Sequence, residues 1–250
     1  MENIKNKMKG VLLCGGKGTR LLPATKCLNK HLIPILNRPM VLYPLETLKS
    51  FGIEDILLVS GGEHLGGFID FLSDGSEYKV DITYRAQINA GGIAEALNLA
   101  KKFVGDSNVI VVLGDNIYGD ITSFPVDLDS NKAHLWLKEV PDAKRFGVGQ
   151  FKDDRLIKII EKPEIPPSDW AVTGLYKYTP EVFDFTKTMN PSARGEKEIT
   201  DVNNWYIEQG KCDYTRIPND KFWRDCGTPE SLAEVTRWAI ENRQKDKNVS

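Results

Sequence analysis

The stretch LLCGGKGTRLLPATKCLNKHLIP, Leu12 to Pro34, leaves an apolar run through a cluster of glycines and then meets Arg20 and Lys30. A strand that ends in glycines lets backbone N–H groups approach an anion, because no Cβ intervenes. Two familiar phosphate cradles do not fit. A Walker loop is spaced G-x-x-x-x-G-K-[ST], a spacing this chain lacks. A dinucleotide fingerprint is G-x-G-x-x-G, and from Gly16 the chain reads G-K-G-T-R-L. The alternative is a plain tight turn, so the rest of the chain has to decide.

Working outward, the first half alternates element types. Strands are predicted at Lys9–Cys14, Asp55–Ser60, Val80–Ala86 and Asn108–Leu113. Helices are predicted at Val41–Phe51, with Leu42, Leu45 and Leu48 on one stripe, within Glu63–Leu72, and over Gly92–Phe103. Such alternation predicts a parallel α/β sheet, and the continuous apolar strands predict helices on both faces. From about residue 133, AHLWLKEV, FGVGQF, RLIKIIEK and AVTGLYKY read as strands that extend this sheet. Helices return over Pro180–Lys187, Glu198–Gln209 and Pro229 to about Arg243. The fold class is α/β, a Rossmann-like mixed and mainly parallel sheet flanked by helices. One domain of 250 residues is expected, its first part about 9–132 and its second about 133–240.

Composition narrows the function. The formal net charge of −2 gives no global basic field, so nucleic acid is not an expected partner. No apolar run approaches the length of a membrane span, and the start MENIKNKMKG lacks an apolar signal core. Residues before Met8 read as a loose extension. Cys14, Cys27, Cys212 and Cys226 form no C-x-x-C pair, and the histidines do not join them at zinc spacing. Reduced thiols in a cytoplasmic protein are expected.

Open α/β sheets bind ligands beyond the carboxyl ends of their strands. GGKGTR, Gln87 with Gly91 and Gly92, and the G-D-N at Gly114–Asn116 all fall there. Arg20 and Lys30 supply positive charge, and Asp115 supplies a hard oxygen suited to Mg²⁺. Together they point to a nucleoside triphosphate with its metal. Glu161 and Lys162 end a later strand, and Asp225 sits in FWRDCGT. Each has a plainer alternative: a turn or capping aspartate, a solvated lysine, an exposed charge pair worth little.

Taken together, GGKGTRLLPATKCLNKHLIP, LNRPMVLYPLETL, AGGIAEAL, VLGDNIYGD, KRFGVG, EKPEIPPSDWAVTGLY, PSARGEKEITDVNNWY and WRDCGT resemble the sugar-1-phosphate nucleotidylyltransferases, in order and over residues 9 to 240. The resemblance implies transfer of a thymidylyl group from dTTP to glucose 1-phosphate by direct in-line displacement. It implies that Gly15, Gly16, Gly18 and Thr19 wrap the nucleotide phosphates, that Arg20 and Lys30 hold the triphosphate, and that Leu13, Gln87 and Gly92 line the base and sugar pocket. Asp115 and Asp225 would share Mg²⁺. Gly147, Glu161, Thr173 and Gly174 would surround the hexose, with Tyr176 and Trp223 as walls, while Lys162 and Arg194 grip its phosphate. A homo-oligomer, tetramer or dimer, is implied as well. The chain departs from the usual pattern at Cys14, at Leu22, and at His31, where a glutamine is frequent. Rival readings are a uridylyltransferase or a nucleotidylyltransferase for another hexose phosphate, a silent nucleotide-sugar-binding module, and a metal-dependent glycosyltransferase.

Overall fold

A computed structural model describes residues 8–121 and 126–247. The extension expected before Met8 lies outside the described residues. The first half contains β1 (Lys9–Cys14), β2 (Pro34–Ile35), β3 (Arg38–Pro39), α1 (Leu42–Ser50), β4 (Asp55–Gly61), α2 (Leu65–Leu72), β5 (Asp81–Gln87), α3 (Ile93–Asn98), α4 (Lys101–Val104) and β6 (Val109–Leu113). The second contains β7 (Asn116–Tyr118), β8 (Ala133–Glu139), β9 (Gly147–Lys152), β10 (Arg155–Glu161), β11 (Trp170–Tyr178), α5 (Val182–Thr188), α6 (Ile199–Glu208), β12 (Cys212–Ile217), β13 (Trp223–Asp225) and α7 (Pro229–Lys247).

Strands β5, β4, β1 and β6 lie side by side and parallel. Strand β11 pairs antiparallel with β6 through Leu175–Tyr178 and carries β8 on its opposite edge. Strand β12 joins β8 in parallel, and β9 with β10 attaches at Ala171 of β11. One sheet therefore spans both halves of the chain, as their strand-like runs imply.

Alternation along the strands builds a core on each face. Leu12, Ile56, Leu58, Ile110 and Val112 pack toward α1 and α2 with Leu42, Leu45, Leu48 and Phe68. Their neighbours Val11, Leu13, Leu57, Val59, Val109 and Val111 pack toward α3, α5 and α6 with Leu97, Phe183, Val202 and Tyr206. A smaller cluster of Ile35, Met40, Ile117, Cys226 and Val235 seats α7 beside the β7–β13 ribbon.

The helix expected over Gly92–Phe103 is two helices. Leu99 N–H and Ala100 N–H bond to the carbonyls three residues back, Ala96 and Leu97, and this tight turn ends α3 before α4 begins. The helix expected from Pro180 starts at Val182, after a turn in which Phe183 N–H bonds to Pro180 O. No disulfide joins the four cysteines.

The sheet also buries a titratable ring. His134 of β8 is 8% exposed, packs 4.6 Å from the Trp136 ring and lies 2.8 Å from Thr215 Oγ1 of β12. Burial pushes its pKa from 6.5 down to about 4. Between these values the unfolded chain binds a proton that the folded chain refuses. The stability this site contributes is complete above pH 6.5 and is lost as pH falls toward 4, on the order of 3 kcal/mol in all. His134→Gln is expected to flatten the fall in urea-unfolding free energy between pH 6.5 and 4. An unchanged pH slope in the variant would show that the ring carries no such linkage.

Candidate active site

The loop after β1 is stitched back onto that strand. Asn29 caps a single turn at Lys30–Leu32: its Oδ1 accepts from His31 N–H at 2.9 Å, and its Nδ2 donates to Cys14 O at 3.3 Å. That turn aims Lys30 Nζ at Asp115 Oδ2, 2.5 Å away. His31 Nδ1 lies 2.6 Å from the same Asn29 oxygen, so it carries the hydrogen. Burial, then the Lys30 charge, push the His31 pKa down to about 3, so the ring is neutral at physiological pH. At Gly114 a Cβ would stand 2.7 Å from both Cys14 Sγ and His31 Cδ2, so only glycine lets β6 end this close.

Asp115 follows that glycine. Burial alone would raise its carboxyl, but the Lys30 ammonium above all, aided by a hydrogen bond from Asn116 Nδ2, holds it well below the usual carboxylate range. Asp225 reaches the same place from the far end of the chain. The β7–β13 ribbon pairs Asp225 with Asn116, and Cys226 N–H donates to Asp115 O at 2.7 Å. Burial, then the charge of Asp115, push the Asp225 pKa up to about 6, against the pull of Arg145, Arg20 and Lys30. Two carboxylates thus face one low-dielectric space, one firmly ionised and one raised. Among the described residues no group of three or more His, Cys, Asp or Glu could hold a metal. Two carboxylate donors fit a hard cation whose other ligands come from a phosphate chain and water.

Two cavities meet at Asp115, Leu113 and Ile93. The smaller, about 260 Å³, is lined by Leu13, Gly15, Gly16, Lys30, Gln87 and Gly92, all expected there. The larger, about 700 Å³, is lined by Arg20, Gly147, Glu161, Lys162, Gly174 and Asp225, with Tyr176 and Trp223 as walls. Gly18 and Thr19 lie in the loop outside both linings. Arg194 lies outside them too, its guanidinium held by Glu198 at 2.8 Å and Glu161 at 3.2 Å. The Thr173 side chain is turned away: fully buried, its hydroxyl donates to Trp136 O at 2.9 Å, and Val172 lines the cavity instead. Lys162 adopts a left-handed backbone (φ 43°) and donates its N–H to Phe146 O at 2.9 Å. Such strain in a lysine is held by its surroundings and is common at binding sites.

Three further side chains shape the site. Arg145 lines the larger cavity with its guanidinium 3.7 Å from Asp225. Thr200 donates to Glu161 Oε2 at 2.6 Å and fixes that carboxylate. Asn116, buried, ties three strands: its Oδ1 accepts from Gly174 N–H and from Trp223 Nε1–H, both at 2.9 Å, while its Nδ2 braces Asp115.

A glycine loop, a buried Lys–Asp pair and two abutting cavities at the carboxyl ends of β1, β5 and β6 define a class of enzyme that handles phosphorylated ligands. The chain belongs to the nucleotidyl transferase family, whose sequence profile matches residues 9–242. It is 41% identical to a glucose-1-phosphate thymidylyltransferase of Neisseria meningitidis, over 97% of this chain and 85% of the relative. It is 36% identical to one from Mycobacterium tuberculosis, over 95% and 84%. Among solved structures, a Bacillus anthracis protein assigned as a glucose-1-phosphate thymidylyltransferase and crystallised with sucrose superposes with a TM-score of 0.88. It is 44% identical, over 93% of this chain and 95% of that one.

The Asn116 hub gives a direct test. Asn116→Leu leaves the buried N–H groups of Gly174 and Trp223 without an acceptor, at about 1–3 kcal/mol each. Urea unfolding is expected to show a loss of roughly 3 kcal/mol, with nucleotide turnover reduced as well. A variant as stable as wild type would show that the three strands do not depend on this side chain.

Proposed function

We propose that the protein transfers a thymidylyl group from dTTP to glucose 1-phosphate, forming dTDP-glucose and pyrophosphate. The observation that carries the reading is the meeting of a small glycine-lined cavity and a larger one, carrying Arg20, Arg145 and Lys162, at the ionised Asp115. The kinship with thymidylyltransferases supports the choice of substrates.

In this reading the smaller cavity takes the nucleotide. Leu13, Gln87 and Gly92 hold the base and sugar. Gly15, Gly16, Gly18 and Thr19 wrap the phosphates, with Arg20 and Lys30 against the triphosphate. The larger cavity takes the hexose between Gly147, Glu161 and Gly174, with Tyr176 and Trp223 as walls. Thr173 contributes there through backbone alone, given its buried hydroxyl. Lys162 and Arg194 receive the sugar phosphate. An oxygen of that phosphate, already anionic, attacks the α-phosphorus in line. The bond to the bridging oxygen breaks and pyrophosphate leaves with the electron pair. No general base and no covalent enzyme intermediate is required. Bringing two polyanions together is the main obstacle, and fixed cations lower it most. Asp115 and Asp225 would hold Mg²⁺, whose charge, when bound, stabilises the phosphate oxygens.

We also propose a cytoplasmic homo-oligomer, dimer or tetramer. No helix among the described residues is long and apolar enough to cross a membrane.

Pyrophosphate release with dTTP and glucose 1-phosphate is the decisive measurement. It is expected with Mg²⁺ and abolished by EDTA, with weaker use of UTP and little of CTP, ATP or GTP. Asp115→Asn and Asp225→Asn are expected to lower kcat by about 100-fold or more in a folded protein. Wild-type rates in either would remove the metal assignment. Lys162→Ala is expected to raise the KM for glucose 1-phosphate about tenfold with dTTP binding unchanged, the loss of one charged hydrogen bond. Loss of dTTP affinity alone would place Lys162 in the wrong cavity.

A further inference from the structure

Gln87 ends β5, and its amide faces two acceptors. Its Nε2 lies 3.4 Å from Gly92 O and 3.4 Å from Glu95 Oε2. An amide oxygen turned to that side would meet two other oxygens, so the nitrogen belongs there. The amide oxygen then lies on the opposite side, toward the glycine loop: a Cβ on Gly15 would stand 3.3 Å from Gln87 Oε1. Gln87, Gly15 and Gly92 line the smaller cavity, and Glu95 does not.

The Glu95 side chain folds back toward the turn that precedes α3. A Cβ at Gly91 would stand 1.7 Å from Glu95 Oε2, so the carboxylate lies directly over that glycine. The turn beneath is anchored from another part of the chain. Lys197 N–H donates to Gly91 O at 2.8 Å, and Ala94 N–H donates to Lys197 O at 3.2 Å. Glu95 is in the first turn of α3, whose start is fixed by those bonds.

We infer that Glu95 sets base selectivity in this cavity by fixing which end of the Gln87 amide faces the ligand. The inference rests on the reading of the cavity as a nucleotide site. An amide oxygen facing the ligand accepts from the imide N–H that thymine and uracil carry at N3. Cytosine presents a bare acceptor at N3 and an amino group beside it, so the same amide meets it with like against like. A reversed amide would suit cytosine and oppose the imide. The carboxylate acts through Gln87 and touches no substrate, so Glu95 is a positioning residue.

The test compares Glu95→Leu, which removes the acceptor at similar size, with Glu95→Gln, which keeps one acceptor oxygen. Affinities for dTTP, UTP and CTP are measured by calorimetry, beside pyrophosphate release with glucose 1-phosphate. In the Leu variant the dTTP-to-CTP affinity ratio is expected to fall about tenfold, one hydrogen bond's worth of orientation. The dTTP-to-UTP ratio is expected to stay constant, because both bases show the same edge, and so is the KM for glucose 1-phosphate at saturating dTTP. The Gln variant is expected to keep the wild-type ratios. An unchanged dTTP-to-CTP ratio in the Leu variant overturns the inference, as does equal weakening of all three nucleotides. Failure of the wild type to release pyrophosphate from dTTP would overturn the reading of the reaction instead, and the binding ratios would still judge Glu95.

Discussion

Asp115 stays ionised in a nearly closed site because the Lys30 ammonium lies 2.5 Å away, each side chain only 14% exposed. Much of the surrounding sequence serves that contact. Asn29 fixes the turn that aims Lys30, and Gly114 lets the strand end close enough to meet it. The neighbouring His31 is kept neutral by burial, so it adds no second positive charge beside Lys30. A buried ion pair of this kind contributes little net stability, since desolvation offsets most of the attraction. Its value lies elsewhere. Removing either partner would strand a buried charge, so the pair holds a charged site open at small net cost.

Asp225 has no such partner at close range. Arg145 is 3.7 Å away, and the carboxyl sits near Asp115 in a shared low-dielectric space. The two aspartates are therefore unequal, one held ionised and the other pushed toward neutrality. Their proximity is imposed by pairing between β7 and β13, elements of three residues each. Such short strands have little stability alone. Asn116 compensates by receiving the Trp223 indole N–H of β13 and the Gly174 N–H of β11. One buried amide thus links the corner that carries the two aspartates to the central sheet.

The parallel half of the fold is legible from its runs: VIVVL at Val109–Leu113 and the Leu42, Leu45, Leu48 stripe each state their element and their burial. The ribbon is not. Asn116–Tyr118 and Trp223–Asp225 are too short for a period to show, and they pair across about a hundred residues of chain. Strand β12 is hidden for a related reason: CDYTRI alternates weakly and earns its place by pairing with β8. Among site residues the charged ones were readable by type. The Thr173 side chain faces away from the cleft, which its sequence does not reveal because β11 is buried on both faces. Asn116, Arg145, Thr200 and Glu95 act through register and through space, for which a single sequence has no spacing rule.

The Lys162–Arg194 side of the cleft differs from the Lys30–Asp115 side in how firmly its cations are held. Arg194 is paired with Glu198 and Glu161, and Lys162 lies 3.4 Å from Glu161, but Arg194 is 44% and Lys162 50% exposed. Exposed pairs of this kind are worth about 0–1 kcal/mol each. A charged hydrogen bond to a phosphate is worth about 1.5–3 kcal/mol, and Arg meets a phosphate with two parallel donors. In the proposed reading a sugar phosphate would outcompete Glu198 and Glu161 for the guanidinium, whereas the buried Lys30–Asp115 pair would stay closed. In this structure Glu161 and Glu198 offset the charge of both cations. The left-handed backbone at Lys162 then has a physical role, because it fixes where the side chain starts without requiring a strong partner at its tip. Firm pairing where charge must persist, and weak pairing where it must be exchanged, is an arrangement that favours binding two anions in one cleft.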